Sequence, residues 1–283
     1  MSASSTPIVP PKLAAIAASR NGGAINPSYR VNINFQPDLL HGDITVIESI
    51  SRTNQYHSQF KTGISNGGLL ATSGRAEWEH NLFGDFYPSD TPSSTAEIER
   101  PKYGALNINN DPYGAAPRFG SCHFRLKPDA LLRSTFCFPD SYYGVKAAGT
   151  AENFDLDELA LGTRMEDPLD WYIEAHIHGP LLIPQDIEAL VLDPSYRDSI
   201  VHTAAEKLGC SIEWHPGYAV LASTLDSYKE YRGPEYVKIA HLIADTTGLL
   251  TPEIIGRAYR NSNYTQQEVK KIWHCLACYG RSS

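Results

Sequence analysis

Residues 172–193, YIEAHIHGPLLIPQDIEALVLD, contain the two most strand-like runs of the chain. Polar and apolar residues alternate over 171–177, whereas aliphatic residues dominate 187–192, and both patterns are typical of short β-strands. The Gly-Pro pair between them indicates a turn. A hairpin folded about this turn would place Glu174 nearly opposite Glu188, where like charges repel unless a cation or hydroxyl separates them. The stretch therefore predicts both a β-rich core and a site.

A third carboxylate belongs to the same stretch. Asp186 and Glu188 are two residues apart, so in a strand they would point to the same face. In such a pair one carboxylate can stabilise a developing positive charge while the other accepts a proton. Solvent-exposed strand positions are the alternative interpretation, and they are the commoner one for acidic residues without other support.

Two patterns resemble metal or redox motifs. His176 and His178 would project from one strand face, as a pair of metal ligands requires. A third ligand would have to come from histidines that are scattered over the chain, at His41, His57, His80 and His123. Cys275-x-x-Cys278 lacks a second such pair and falls at the end of a helical pattern, which favours packing. We therefore expect structural histidines and no metal site.

Outward from this stretch, the patterns change along the chain. Three more strand candidates precede it, at 29–35, 119–126 and 134–138, and short helices are predicted over 44–52 and 156–161. After Ser199 the pattern becomes helical, with candidates at 199–208, 236–246, 251–259 and 265–279. We predict an α+β protein with a flexible N-terminal arm, a mostly antiparallel central domain and a C-terminal helical module, at 1–28, 29–198 and 199–283.

The composition limits the possible partners. Lys+Arg 24 against Asp+Glu 32 gives a net charge of -8, which disfavours binding to nucleic acids and anionic membrane surfaces. No run approaches the roughly 20 apolar residues of a membrane span. Five cysteines form an odd set, which favours reduced thiols. We expect a soluble monomer.

A glycine-rich segment at 60–70, FKTGISNGGLL, could bring backbone N–H groups close to a ligand. Its spacing matches neither the phosphate-binding loop nor the dinucleotide fingerprint of the Rossmann fold. No G-x-S-x-G elbow is present either, which leaves a serine hydrolase unsupported. A dinucleotide would therefore have to bind in another kind of fold.

Seven blocks of the chain together resemble one bacterial family. They are NINFQPD (32–38), SQFKTGISNGG (58–68), RPKYGALN (100–107), PRFGS (117–121), TFCFPD (135–140), EAHIHG (174–179) and DIEALVLDP (186–194). In this order they are similar to the CteC-like effectors, and seven coincident blocks are far more specific than any single one.

This resemblance implies a fold like that of poly(ADP-ribose) polymerases and ADP-ribosylating toxins, with NAD held in a cleft between two small, mostly antiparallel sheets. It also implies transfer of ADP-ribose from NAD to a threonine of ubiquitin, through an Asp–Glu pair, which blocks host ubiquitination. The helical module would then recognise ubiquitin. By the same resemblance, the protein would be an effector delivered to the host cytoplasm.

Carried over by position, the resemblance makes Glu188 the first choice for the catalytic glutamate, with Asp186 as its partner and Glu174 in reserve. Asp38 is a rival for the catalytic aspartate. The position of Gln36 usually holds His in the related class, so this residue argues against a His-Tyr-Glu mechanism. The remaining predicted NAD contacts are Asn34, Gln36, Asp38, Ser65, Asn66, Tyr103 and Arg118, among which Arg118 has a donor fork that suits pyrophosphate.

Two other functions fit the same sequence. The chain could be a non-catalytic module that binds a protein through its acidic loop at 144–170 and its helical tail. It could also hydrolyse NAD without a protein acceptor, in which case nicotinamide release would be indifferent to added protein.

Overall fold

The computed structural model describes residues 9–62, 72–87, 100–261 and 263–282, with side chains at 72–75 excepted. The strands are β1 (Arg30–Phe35), β2 (Leu40–His41), β3 (Ile44–Thr45), β4 (Lys102–Asn107), β5 (Cys122–Leu126), β6 (Ser134–Cys137), β7 (Ala148–Thr150), β8 (Ile173–Ile177), β9 (Ile187–Leu192), β10 (Ser211–Trp214), β11 (Val220–Leu221) and β12 (Leu249–Leu250). The α-helices are α1 (Pro11–Ala18), α2 (Val46–Thr53), α3 (Gln59–Thr62), α4 (Thr72–Phe83), α5 (Leu156–Leu161), α6 (Ile200–Glu206), α7 (Pro234–Ile243), α8 (Pro252–Arg260) and α9 (Gln266–Tyr279).

One eight-stranded sheet forms the centre of the protein, in the order β10-β9-β5-β1-β4-β8-β6-β7. The β9–β10 pair is parallel, and the other neighbours are antiparallel. The α+β class and the five predicted strands are confirmed. The expected two small sheets are instead one sheet, because β1 pairs with both β4 and β5 and joins the two halves.

The predicted hairpin between β8 and β9 is wrong. The two strands are separated in the sheet by β5, β1 and β4, so four inter-strand steps lie between them. At about 4.8 Å per step, the strands are about 19 Å apart. Residues 178–186 are therefore a crossover connection, and Glu174 does not face Glu188.

Strand β4 lies in the middle of the sheet although its sequence, KYGALN, has low strand propensity. A Cβ atom at Gly104 would lie 2.6 Å from the backbone oxygen of Asn32. Glycine is therefore required for β1 and β4 to approach each other, and the packing of the sheet overrides the local preference.

The expected N-terminal arm at 1–28 stays a prediction, and the residues of it that are described include one helix. Helix α1 packs through the buried Leu13 against Leu82, Phe83 and Tyr87 of the α4 region. The first eight residues of the expected arm lie outside the described part of the chain.

Two large hydrophobic clusters divide the interior. The first surrounds the sheet and includes residues of α6, such as Val201 and Ala205. The second joins α7, α8 and α9 to Tyr113 and Leu169. Helix α6, at the start of the helical region, therefore packs with the sheet. Strand β10 of the same region adds an edge strand to that sheet. The predicted boundary at 198/199 stays a prediction.

A buried ion pair connects the two clusters. Asp38, which follows β1, is 1% exposed and pairs with Arg260 at the end of α8. A Cβ atom at Gly256 would lie 1.6 Å from the Asp38 carboxylate, so only glycine lets α8 approach this closely. Trp273 of α9 also donates from its indole Nε1 to the Pro117 oxygen at 2.9 Å.

Among the described residues, no helix is both long enough and apolar enough to span a bilayer.

Candidate functional site

A cavity of about 910 Å³ opens beside the ends of β1, β4 and β8. Its volume falls within the roughly 300–1,000 Å³ of small-molecule and cofactor sites. Aromatic side chains supply much of its wall, including Tyr56, Trp78, Tyr103, Phe119, Tyr142, Tyr143 and Tyr172. Carboxylates and cations also line it, at Glu77, Asp140, Asp170, Glu174, Lys102, Arg118 and Lys270. The wall therefore combines aromatic rings, as ligand sites do, with more charged groups than most such sites carry.

Glu174 is held in the wall of this cavity by strand pairing. Its residue is 8% exposed, and its neighbour in the register of β6 is Cys137. Oε1 of Glu174 lies 2.7 Å from His176 Nε2, 3.6 Å from Cys137 Sγ and 3.4 Å from the amide nitrogen of Ser141. These contacts fix the position of one carboxylate oxygen.

A chain of hydrogen bonds continues behind Glu174. Thr135 Oγ1 lies 3.0 Å from His176 Nδ1 and 2.9 Å from His178 Nε2. His178 Nδ1 in turn lies 2.5 Å from the hydroxyl of Tyr87. Burial, followed by the nearby His176, holds the pKa of His178 well below its ordinary value, so this ring is neutral. With Nε2 of His176 protonated, every group in this row of hydrogen bonds has a partner, and His176 donates to the Glu174 carboxylate.

Asp140 provides a second carboxylate in the cavity. It accepts a hydrogen bond from the hydroxyl of Tyr172, the residue two positions before Glu174 on the same strand face. Burial, together with the nearby Glu174 carboxylate, raises the pKa of Asp140 to about 6. Above that pH Asp140 is a base of moderate strength, close to the value that suits proton transfer near neutral pH.

Arg118 lines the cavity but is already engaged by two aspartates. Its Nη1 lies 3.1 Å from Asp167 and also contacts Asp170. The hydroxyl of Tyr143 donates to Asp170 at 2.9 Å. An incoming phosphate would therefore share Arg118 with these carboxylates.

Lys270 brings the C-terminal region to the same cavity. It lies on α9 and lines the wall together with Arg118. Burial, and then repulsion from Arg118, Lys271 and Arg232, lowers the pKa of Lys270 to about 8. An anion beside these cations would relieve the repulsion, which makes this wall suited to a phosphate.

The first-choice pair from the sequence lies elsewhere. Neither Glu188 nor Asp186 is among the described residues that line the cavity. Glu188 accepts from Arg30 at 2.7 Å and from Arg125 at 2.9 Å. Partial burial opposes its ionisation, but the hydrogen bonds from the two arginines hold the pKa of Glu188 below its ordinary value. Asp186 accepts from the Leu182 amide at 2.6 Å and closes a local turn.

The three predicted contacts on and after β1 differ in whether they line the cavity. Asn34 lines the cavity, but its amide is used to bind Tyr113 O, Gly120 O and the Ala116 amide. Gln36 lines the cavity and accepts from Ser121 Oγ at 3.0 Å. Asp38 does not line it and is instead the partner of Arg260. These contacts indicate structural roles for Asn34 and Asp38.

Of the remaining predicted contacts, Tyr103 is a wall residue of the cavity. Tyr103 lies opposite His176 in the β4–β8 register and lines the cavity, and its hydroxyl donates to Glu79 at 3.1 Å. Ser65 and Asn66 lie outside the described residues. The structure therefore brings together Glu174, Tyr103, Gln36, Asn34 and Arg118 around one cavity.

Sequence reasoning missed Asp140, Tyr172 and Lys270 as site residues. Asp140 follows the strand predicted at 134–138 and Tyr172 lies at the start of the strand predicted at 171–177, so their position at a strand end was the available signal. Lys270 lies within a predicted helix, and nothing in the helical pattern distinguishes it from a solvent-exposed lysine.

The protein is therefore an α+β protein with a cavity of about 910 Å³ against its central sheet. A family model described as protein of unknown function (DUF3626) matches residues 30–163 and 157–279. The chain belongs to this family, and the match extends through the sheet and the helical region alike. No curated protein gives a significant match to the chain.

Proposed function

We propose that this protein is an ADP-ribosyltransferase that uses NAD, and that Glu174 is the carboxylate at the reacting ribose. The observation that carries the proposal is the position of the three candidate carboxylates: Glu174 lines the 910 Å³ cavity, whereas Asp186 and Glu188 do not. Support for the class of reaction comes from the resemblance of seven sequence blocks to the CteC-like effectors.

The wall of the cavity suits the parts of NAD. Nicotinamide and adenine are flat rings that pack on aromatic side chains, and Tyr172 and Phe119 meet edge to face at 5.5 Å between ring centroids. Arg118 and Lys270 offer positive charge for the pyrophosphate. The carboxylate of Glu174 can accept a hydrogen bond from a ribose hydroxyl.

The reaction can then be written with these side chains. The bond between the ribose C1′ and the nicotinamide nitrogen breaks, and its electron pair leaves with nicotinamide. Glu174 stabilises the positive charge that develops on the sugar. The oxygen of the acceptor hydroxyl bonds to C1′, and its proton passes to the Asp140 carboxylate, which is ionised above pH 6 or so. Asp140 and Glu174 would thus be the Asp–Glu pair of this chain.

The proposed acceptor is a threonine of ubiquitin. A threonine hydroxyl is a weak nucleophile at neutral pH, so a base such as Asp140 is chemically required. The region 199–283 would hold the acceptor, because its helix α9 reaches the cavity through Lys270. Delivery of the protein as an effector to a host cytoplasm is part of the same proposal.

The test uses the full chain with NAD and ubiquitin, and measures the intact mass of ubiquitin. We expect a gain of one ADP-ribose with the wild type and none with Glu174→Gln. Glu188→Gln is the matched control, since it makes the same chemical change outside the cavity. Nicotinamide release without any protein modification would favour an NAD hydrolase, and no release with ubiquitin or whole-cell lysate would favour a binding module.

A further inference from the structure

We propose that Cys137, His176 and Glu174 form a zinc-binding site at the wall of the cavity. The Sγ, Nε2 and Oε1 atoms of these residues all lie within 4.8 Å of one another, and all three residues are buried. Nitrogen, thiolate sulfur and carboxylate oxygen are the ligand atoms that zinc binds in proteins. Among the described residues, this is the cluster of three such groups that the fold brings together.

Strand pairing explains why these three side chains meet. Cys137 and Glu174 are directly opposite each other in the antiparallel β6–β8 pair. His176 is two residues beyond Glu174, so it lies on the same face of β8. The cluster is therefore built on rigid neighbouring strands in the interior of the sheet, which favours a preformed site.

The distances come close to those of a tetrahedral zinc ion. Bonds of about 2.0–2.3 Å separate ligand atoms by about 3.3–3.6 Å. The Cys137 sulfur is 3.6 Å from the Glu174 oxygen and 3.9 Å from the His176 nitrogen, and the nitrogen and oxygen are 2.7 Å apart. Zinc would thus widen the His176–Glu174 contact by about 0.6 Å, which small side-chain rotations can supply.

The hydrogen bonds behind His176 let its Nε2 become a ligand without releasing a proton to solvent. When the His176 proton moves to Nδ1, it donates to Thr135, Thr135 donates to His178, and His178 donates to Tyr87. The number of protons on these four groups is unchanged. Only the thiol proton of Cys137 leaves, to solvent, as the zinc–sulfur bond forms. The Thr135 contact then orients His176 as a partner behind a ligand does.

Three protein ligands leave a fourth position on zinc for water or for a molecule in the cavity. Glu174 lines the cavity, so this position is next to the space for a substrate. The inference does not rest on the proposed transferase activity. In a protein with that activity, zinc bound to the Glu174 carboxylate would inhibit the transferase reaction.

The two metal-like patterns of the sequence, His176-x-His178 and Cys275-x-x-Cys278, do not match the proposed ligand set. His178 is not a ligand, because Thr135 lies between its Nε2 and His176. Cys275 and Cys278 contribute to no cluster of three among the described residues.

The first experiment titrates zinc into the full-length chain in competition with a chromophoric chelator. We expect one zinc per chain for the wild type and at least about tenfold weaker binding for Cys137→Ser. Cys210→Ser is the matched control, because Cys210 is outside the cluster and should bind as the wild type does. Absence of zinc binding by the wild type, unchanged binding by Cys137→Ser, or loss in Cys275→Ser would overturn the proposal.

A second measurement needs no variant, so a folding defect of Cys137→Ser cannot obscure the result. X-ray absorption of the zinc-loaded wild-type chain should show one sulfur at about 2.3 Å and nitrogen or oxygen ligands at about 2.0–2.2 Å. A shell without sulfur, or with two sulfurs, contradicts the site. Because neither experiment uses NAD, zinc binding and transferase activity can fail independently.

Discussion

Two glutamates with similar sequence surroundings lie in opposite environments. Glu174 is in a cavity wall, held by His176, Cys137 and a backbone amide, and its residue is 8% exposed. Glu188 is on β9, four strands away from β8 in the sheet, where its side chain is 35% exposed and bridges Arg30 and Arg125. The first arrangement leaves a carboxylate beside space for a ligand, whereas the second satisfies the charge with two cations. An acidic residue in a strand is therefore defined by the neighbours that the sheet order gives it.

The largest effect should come from the reactive carboxylate itself. Glu174→Gln keeps the size of the side chain but removes the charge that would stabilise the ribose cation. We expect a loss of roughly 10²–10³-fold in the turnover of NAD, measured as nicotinamide release. NAD binding by calorimetry should change much less, and an equal loss in binding would show that Glu174 acts only in affinity.

The proposed base comes next. Asp140→Asn should lower transfer to a protein hydroxyl by about 10²-fold. Because the ionised form of Asp140 accepts the proton and its pKa is about 6, wild-type kcat/KM should rise with pH through that value. The variant should lose this rising limb. A limb near pH 6 that persists in Asp140→Asn would assign it to another group.

A smaller effect is expected at the wall formed by Lys270. Its pKa is about 8, so the protonated form that attracts pyrophosphate is lost as pH rises above that value. NAD affinity of the wild type should fall above pH 8, whereas Lys270→Gln should bind roughly tenfold more weakly and without this fall. Lys271→Gln is a control on the same helix. A pH-independent affinity in the wild type would contradict the assignment.

The smallest effect should follow from Glu188→Gln. Activity should stay within about twofold of the wild type, and the free energy of unfolding should fall by about 1 kcal/mol, as for a partly exposed ion pair. The pKa of Glu188 is lowered in the folded state, so its stabilisation is present above the unfolded pKa and disappears as pH falls through the folded value. Denaturation of both proteins at neutral and acidic pH measures this. A strongly inactive but stable Glu188→Gln would reverse the comparison.

Local sequence patterns were sufficient to predict much of the fold. The helices predicted to begin at 199 and 265 are present as α6 and α9, and Ser199 and Thr265 cap them through contacts within one turn. Strand β4 was missed, because its place between β1 and β8 depends on Gly104, which allows close backbone approach but has low strand propensity. Strand order also could not be read from the chain, so the predicted hairpin placed two distant strands together.

Only part of the site was predicted, because local sequence patterns do not show which distant residues meet. Glu174 and Tyr103 were predicted because they belong to recognisable strand or block patterns. Asp140, Cys137 and Lys270 meet Glu174 or its cavity through long-range pairing of β6, β8 and the last helix. Such contacts are set by tertiary packing, and no spacing in the sequence encodes them.

The most direct test of the central claim is a crystal structure of the chain with a non-hydrolysable NAD analogue. The account predicts the nicotinamide ribose inside the cavity, with a hydroxyl about 2.5–3.0 Å from the Glu174 carboxylate. A ribose bound beside Glu188, or anywhere outside the cavity, would contradict it.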